Sequence, residues 1–372
     1  MKAKGVDVIN MSVGEPDFMT PEPIKEAGKK AIDDNFSKYS PVPGYPALRN
    51  AISKKLKAEN GLDYASSEII VGTGGKQGVC NAIMALVNPG DEVIIPAPYW
   101  VSYPQMVKLA GGNPVIISAG IEQDFKITAA QLEASITPKT KMIILCSPSN
   151  PTGSVYTKAE LDELAKVVIS HEDVFVLSDE IYEHINYIGK HASIAACPNM
   201  KERTIICNGV SKAYAMTGWR LGWVAAPEWI VKGLNKLQGQ YTSGTSSVSQ
   251  MAALAAYEGN QQCVEDFRKT FQRRRDLIVN LAKGIPGLEV NIPQGAFYLF
   301  PKCSSFFGKS NGKYTINNST DLAMYLLEEG HVATVGGDDF GSPDCFRMSY
   351  ATSDDNIKEA LQRIKDALSK LK

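Results

Sequence analysis

The sequence has little net charge and no long apolar run, and both absences restrict what the protein can bind. Its 372 residues carry 39 Lys and Arg against 40 Asp and Glu, a formal net charge of −1 at pH 7. This balance gives no electrostatic basis for binding nucleic acid or an anionic membrane. No apolar stretch approaches the length of a membrane span, and the basic first residues are not followed by an apolar signal core. We expect a cytoplasmic protein that acts on small molecules.

Paired cysteines are also lacking. The seven cysteines are odd in number and form no C-x-x-C motif, and several lie within apolar runs: Cys80, Cys146, Cys197, Cys207, Cys263, Cys303 and Cys345. This pattern is typical of reduced thiols in a protein core and disfavours disulfides or metal ligands. The sequence therefore predicts no metal site. It also contains no internal repeat, low-complexity tract or charge block.

What the sequence does contain is an alternation of short β-branched runs with amphipathic segments. With 44% apolar residues the chain can build a sizeable core, and its length favours two lobes. The alternation predicts an α/β lobe with a mostly parallel sheet buried on both faces, its strands at about residues 68–71, 92–95, 114–118, 141–146, 174–178, 203–207 and 221–225. After residue 250 a long helical region, a few strands and a closing helix predict a smaller α+β lobe.

Polar motifs follow several of these strands, at the end of an open α/β sheet where ligands bind. GTGGKQG, from Gly72, is a glycine-rich turn into a helix and can be either a phosphate seat or simply a tight turn. It matches neither a Walker loop nor G-x-G-x-x-G, and no ribose-binding acid ends the next strand.

Three further strand ends add side chains that are each ambiguous alone. SPSNPTG carries Asn150 in a rigid turn, and SDEIYEH carries Asp179 and Tyr182. Asp179 can be a helix N-cap, or it can be a buried carboxylate that needs a cationic or hydrogen-bonding partner. NGVSKAYAMTGWR adds Ser211, Lys212 and Arg220, where a lone lysine is most often a solvated loop cation. Together, these motifs supply an amine, a carboxylate and several hydrogen-bond donors for anionic oxygens. Those are the groups that pyridoxal phosphate (PLP) requires.

The ordered motifs resemble those of the class I, fold-type I PLP-dependent aminotransferases, and most strongly the bacterial aspartate aminotransferases. The resemblance covers nearly the whole chain, through SVGEPDF, KYSPVPGYPALR, GGKQ, PYWVSYP, SPSNPTG, SDEIYEH, SKAYAMTGWR, PQGAFY and RMSYATS. It implies an α/β large domain with a mostly parallel seven-stranded sheet sandwiched by helices, and a smaller α+β domain. We expect the large PLP-binding domain at residues 35–278, and the small domain at residues 1–34 and 279–372.

The resemblance also implies roles for the cofactor residues. Lys212 would form the Schiff base and move the proton, Asp179 would pair with the ring nitrogen, and Asn150 and Tyr182 would hydrogen-bond the phenolate oxygen. Trp100 would stack on the ring. The phosphate would be held by Ser211, Arg220, the backbone around Gly74 and Gly75 and, from the neighbouring subunit of a homodimer, Tyr39. Lys76 completes the implied set of cofactor-binding residues.

For the substrate, the resemblance assigns the α-carboxylate to Arg347 and places Gly14, Trp100 and Asn150 beside it. Lys76 is the expected partner of a distal carboxylate, since no arginine is evident in QYTSGTSSVSQ. The resemblance also implies that relatives carry roughly two more helical turns and an arm before the point where this chain starts, and that this arm contributes to the dimer and the substrate pocket.

The implied reaction is transfer of the amino group of L-aspartate to 2-oxoglutarate by a ping-pong mechanism. The alternatives are a related aminotransferase acting on prephenate or aromatic oxo acids, and, from other classes, a nucleotide-binding dehydrogenase or a non-catalytic regulator. The missing ribose acid disfavours the dehydrogenase. The intact set around Lys212 disfavours the regulator.

Overall fold

The computed structural model describes residues 5–372 and contains a central sheet with a second group of shorter strands. The strands are β1 Ile9–Asn10, β2 Ile69–Gly72, β3 Glu92–Ala97, β4 Asn113–Ser118, β5 Thr140–Cys146, β6 Phe175–Asp179, β7 Thr204–Gly209, β8 Gly222–Ala225, β9 Tyr298–Leu299, β10 Val332–Ala333, β11 Val335–Gly336 and β12 Phe346–Ser349. The α-helices are α1 Glu22–Asp33, α2 Pro46–Lys55, α3 Gly75–Leu86, α4 Ser102–Leu109, α5 Ala129–Glu133, α6 Lys158–Ser170, α7 Glu228–Tyr241, α8 Ser247–Glu258, α9 Gln262–Lys283, α10 Ser319–Glu329 and α11 Asp354–Leu368.

The central sheet has seven strands in the order β2-β8-β7-β6-β5-β3-β4. Strands β3 to β7 pair in parallel, whereas β8 is antiparallel to both β2 and β7. Strands β5, β6 and β7 are buried along most of their length. Since successive side chains of a strand point to opposite faces, both faces of the sheet are covered. The predicted fold class and all seven predicted strands are confirmed.

Local sequence signals account for the helices that cover this sheet. Thr157 and Glu160 form a capping box, in which the Thr157 side chain accepts from the Glu160 amide and the Glu160 carboxylate accepts from the Thr157 amide, so that α6 begins at Lys158. The long helical region predicted after residue 250 is two helices. Gly259 follows α8, and the Asn260 side chain accepts a hydrogen bond from the Gln262 amide at 2.7 Å as α9 begins.

The second group of strands surrounds a separate apolar core. Strand β1 pairs with β10, and β11, β12 and β9 form a three-stranded antiparallel sheet. Helix α11 buries one face at Ile357, Leu361, Ile364 and Leu368, the spacing expected for an amphipathic helix. We call this group, with α10 and α11, the small lobe.

Two elements connect the lobes. Helix α1 packs mainly against α8, while β1, earlier in the chain, belongs to the small lobe. Helix α9 runs past residue 278 and contributes Phe271 and Ile278 to the small-lobe core. The predicted domain boundaries after residues 34 and 278 stay a prediction. Residues 1–4 of the predicted small domain lie outside the described residues. Across residues 5–372, none of the helices combines the length and apolar character that crossing a membrane requires.

Candidate active site

The carboxyl ends of the central strands and the small lobe enclose a cavity of about 680 Å³. Strand β8 runs antiparallel, so its beginning lies at the same edge as the ends of β5, β6 and β7. Loop residues before β8 therefore enter the same cavity as those after β7. Most of the predicted site residues line it: Gly14, Gly75, Lys76, Trp100, Asn150, Asp179, Tyr182, Ser211, Lys212, Arg220 and Arg347.

Asp179 ends β6 and is buried at the base of the cavity. Burial raises the pKa of its carboxyl, and the hydrogen bond from Tyr103 opposes that rise. The Tyr103 hydroxyl lies 2.7 Å from Oδ2, and the Ile181 amide donates to Oδ1 at 3.2 Å. The carboxylate is therefore held by donors on two sides, which is the environment a buried anion needs.

Lys212 reaches across the cavity from the loop after β7. Its Nζ donates a hydrogen bond to the carbonyl oxygen of Gly14 at 2.6 Å, joining the loop after β7 to the N-terminal segment. Burial lowers the pKa of this ammonium to about 8, although the charges of Glu15 and Asp179 oppose the change. An amine with this pKa is partly neutral near pH 8 and can act as a nucleophile or a base.

An anion cradle forms where the glycine-rich turn meets Arg220. Helix α3 begins at Gly75, and the first N–H groups of a helix have no intrahelical partner. Gly74 has a φ of +80°, and a Cβ built there would lie 2.5 Å from Nη2 of Arg220. Glycine is thus required for the guanidinium to approach the turn. Ser211 lines the same cavity from the loop after β7.

Arg347 enters from β12 of the small lobe and is buried. Its Nη1 donates to Asn150 Oδ1 at 2.9 Å, and its Nη2 donates to the carbonyl of Ser12 at 2.6 Å. Within residues 5–372, its Nε has no hydrogen-bond partner although it is buried. The rings of Tyr298 and Phe340 lie 4.7 and 4.9 Å from the guanidinium carbon. Arg347 is therefore a cation held in place at the cavity wall, with N–H groups that can still donate hydrogen bonds.

Lys76 and Trp100 form another side of the cavity. The ammonium lies 4.8 Å from the Trp100 ring centroid, a cation–π contact, and makes no ion pair or hydrogen bond with residues 5–372. Two acidic residues that sequence reasoning missed, Glu15 and Asp339, also line the cavity. Lys76 thus presents an unpaired cation to a cavity that two carboxylates also line.

Two predicted residues do not line the cavity. Gly74 lies directly beside it, against Arg220. Tyr39 is 97% exposed, and no contact within residues 5–372 connects it to the cavity. Its predicted role requires a second subunit and stays a prediction.

Sequence reasoning also missed Tyr103, Tyr298 and Phe340. Tyr298 pairs its hydroxyl with that of Tyr182 at 2.7 Å, and both are buried. Tyr298 lies in the quoted PQGAFY motif and Tyr103 in the quoted PYWVSYP motif, so motif position was an available signal. Phe340 lies in a loop without such a signal.

Comparison with known proteins agrees with this geometry. A model of the family described as aminotransferase class I and II matches residues 6–364. The bifunctional aspartate aminotransferase and glutamate/aspartate-prephenate aminotransferase of Petunia hybrida is 49% identical over 374 residues, covering 99% of this chain and 78% of that protein.

Solved structures give the same result. The aspartate aminotransferase from Rhizobium meliloti has a TM-score of 0.97 and 46% identity, over 100% of this chain and 94% of that one. The aspartate aminotransferase from Thermus thermophilus with maleate has a TM-score of 0.92 and 40% identity, over 98% and 93% of the two chains. Sequence and fold together show that this chain belongs to the class I and II aminotransferases and has their fold-type I architecture.

Proposed function

We propose that the cavity binds PLP and that the protein transfers the amino group of L-aspartate to 2-oxoglutarate in a ping-pong reaction. One observation carries the proposal: Lys212, Asp179, Arg220 and Arg347 converge on a single cavity of about 680 Å³. An amine, a carboxylate and two guanidinium groups are the charges that PLP and an α-amino acid require together.

The residues present fit PLP. The close approach of Gly74 to Arg220 leaves a cradle that any Cβ would fill, and α3 begins beside it with free N–H groups. Asp179 is a buried carboxylate suited to a protonated ring nitrogen. When bound, PLP supplies an aldehyde for an amine and an electron sink for the carbanion at the substrate α carbon.

Lys212 is the residue that moves the proton. Because burial brings its pKa to about 8, its Nζ is available as a neutral amine at mildly alkaline pH. Nζ would take the proton from the substrate α carbon and hold it for the later return. Its hydrogen bond to Gly14 positions Nζ beside the N-terminal segment, where we place the substrate.

The other cofactor residues bind and orient. Asp179 would accept a hydrogen bond from the ring nitrogen, and the Asn150 amide nitrogen and the Tyr182 hydroxyl would donate to the phenolate oxygen. Trp100 would stack on the ring. The phosphate would be bound by Ser211, Arg220 and the amides around Gly74 and Gly75.

Arg347 binds the α-carboxylate of either substrate. Its Nε lacks a partner, and its Nη1 bond to Asn150 holds the guanidinium plane in position. A guanidinium can bind a carboxylate through two parallel hydrogen bonds, which an ammonium cannot reproduce. Gly14, Trp100 and Asn150 complete the substrate-binding residues.

Lys76 selects the distal carboxylate in this proposal, because its ammonium is unpaired. The relative from T. thermophilus was solved with maleate, a dicarboxylate, and has a closely similar fold. Prephenate is the alternative acceptor, since the P. hybrida relative is named for both activities.

We further propose a cytoplasmic homodimer in which each site is completed by Tyr39 of the other subunit. The high exposure of Tyr39 supports this, because a tyrosine exposed at 97% has little to stabilise it in the single chain. The domain division at residues 35–278, with 1–34 and 279–372 as the small domain, is part of the same proposal.

Initial-rate kinetics test the substrate assignment. We expect L-aspartate with 2-oxoglutarate to give the highest kcat/KM in a panel that also contains L-alanine, L-phenylalanine and, as acceptor, prephenate. Parallel lines in double-reciprocal plots would support the ping-pong order. A higher kcat/KM for prephenate than for 2-oxoglutarate would replace the aspartate assignment with the alternative.

A further inference from the structure

Tyr103 lines the cavity beside Asp179 and has so far been given no role in the reaction. It is fully buried in the first turn of α4, and its hydroxyl is 2.7 Å from Asp179 Oδ2. An ionised carboxylate can only accept, so the tyrosine is the donor. Burial, and then the charge of Asp179, raise the pKa of the Tyr103 hydroxyl well above its ordinary value. Tyr103 therefore remains a donor throughout the working pH range.

The other groups that face Asp179 do not replace this bond. Glu180 follows it in the chain, Lys212 lies across the cavity, and the thiols of Cys146 and Cys207 come from the neighbouring strands β5 and β7. Glu180 is occupied by the hydroxyls of Ser178 and Ser193 and by His191. Within residues 5–372, Tyr103 is the one side chain that hydrogen-bonds the Asp179 carboxylate.

We propose that Tyr103 is a positioning residue that keeps Asp179 ionised and oriented towards the ring nitrogen of PLP. The inference rests on the proposed function, since it assigns a support to a residue of that site. A carboxylate has about four lone-pair positions, and Tyr103 and the Ile181 amide take two of them, so acceptor capacity remains for the ring nitrogen.

The local chain links this support to the cofactor face. The Tyr103 amide donates to the Trp100 carbonyl at 3.0 Å, and the two rings meet edge to face with centroids 5.3 Å apart. One turn of chain thus carries both the ring that we expect to stack on PLP and the hydroxyl that holds Asp179. Residues 100–103 thus connect the Asp179 carboxylate to the stacking ring.

A double-mutant cycle tests whether Tyr103 acts through Asp179. The cycle uses the wild type, Tyr103→Phe, Asp179→Asn and the double variant, and it measures the dissociation constant of PLP from each apoprotein. We expect Tyr103→Phe to weaken binding about tenfold in the wild-type background, the effect of losing a hydrogen bond to a charged group. In the Asp179→Asn background we expect a change below about threefold, because no carboxylate remains to be held ionised. Equal losses in the two backgrounds would overturn the proposal.

A spectroscopic readout separates positioning from a general structural effect. If the ring nitrogen loses its proton more readily in Tyr103→Phe, positive charge is removed near the lysine nitrogen bound to the cofactor. The pH at which the visible absorbance changes should then rise. Tyr325→Phe is the matched control, since it removes a buried hydroxyl that donates to the Ala367 carbonyl at 2.7 Å in the small lobe. We expect this control to leave the transition unchanged, and an unshifted transition in Tyr103→Phe would also contradict the proposal.

Two further comparisons keep the test decisive. Should Tyr103→Phe fail to fold, as judged by circular dichroism, 3-fluorotyrosine at position 103 makes a stronger donor and should move the same transition to lower pH. No movement with the fluorinated residue would overturn the role of Tyr103. A wild type that develops no visible-range absorbance with PLP would instead overturn the proposed function itself.

Discussion

Arg347 on β12 donates from Nη1 to the side-chain oxygen of Asn150, 2.9 Å away in the turn after β5. This bond joins the small lobe to the edge of the central sheet across the cavity. The second terminal nitrogen is held by the Ser12 carbonyl, so the guanidinium is oriented before any substrate arrives. Orientation in advance reduces the entropy that substrate binding must overcome.

Arg347→Lys is expected to raise KM for every amino donor by about 100-fold, because an ammonium cannot make the two-pronged bond and loses the contact with Asn150. The loss should be similar for aspartate and phenylalanine, which share the α-carboxylate. Steady-state kinetics with both donors measure it. Arg203→Lys, outside the cavity, serves as the control. A loss confined to aspartate would move Arg347 to the distal carboxylate.

Lys76→Ala is expected to lower kcat/KM for aspartate and glutamate at least tenfold more than for alanine or phenylalanine. Only the dicarboxylates lose an ion pair with its unpaired ammonium. Kinetics with the four donors test this, with the exposed Lys166→Ala as a control for net charge. Equal losses for all donors would assign Lys76 to phosphate binding alone.

The apoprotein should be more stable with a neutral residue in place of Lys212. The pKa of about 8 in the folded state lies below the unfolded value of 10.5, so the unfolded state binds more protons between these pH values and stability rises with pH there. Below pH 8 the buried charge lowers the free energy of unfolding by on the order of 3 kcal/mol. Lys212→Met should therefore exceed the wild type in free energy of unfolding at pH 7, and by much less at pH 10. Urea denaturation at both pH values measures the difference, and an equal difference at both would refute burial of the charge as its cause.

Hybrid dimers test the shared site. Lys212→Ala and Tyr39→Glu subunits should each be nearly inactive alone, the latter because its carboxylate repels the phosphate. A hybrid isolated with two affinity tags contains one site with both native residues, so it should recover roughly half of the wild-type activity. Hybrids that remain as inactive as the parent variants would show that Tyr39 does not complete the neighbouring site.

Much of the fold could be predicted because the strands are short, apolar and punctuated by turns. The seven central strands were located to within a few residues on this pattern. The break between α8 and α9 was not predicted, since it depends on Gly259 and on the hydrogen bond from the Gln262 amide to the Asn260 side chain within an otherwise helical pattern. The small-lobe strands β9, β10 and β11 are only two residues long, too short for periodicity to define their ends.

The candidate site could be predicted where side chains follow strand ends or quoted motifs, as for Asp179 and Lys212. The carbonyl of Ser12 could not, because backbone acceptors leave no mark in side-chain chemistry. Asp339 and Phe340 come from a loop of the small lobe, and only tertiary packing brings them to the cavity. The proposed role of Tyr39 depends on a second subunit, which the fold of one chain does not contain.

Absorbance spectroscopy of the purified protein with PLP tests the central claim most directly. The account predicts a visible-range band that depends on pH, bleaches when L-aspartate is added, and returns when 2-oxoglutarate follows. Lys212→Ala should bind PLP through the phosphate contacts without showing this band or measurable turnover. A wild type without the band, or a Lys212→Ala variant with near wild-type activity, would contradict the assignment of Lys212 and the PLP-dependent reaction built on it.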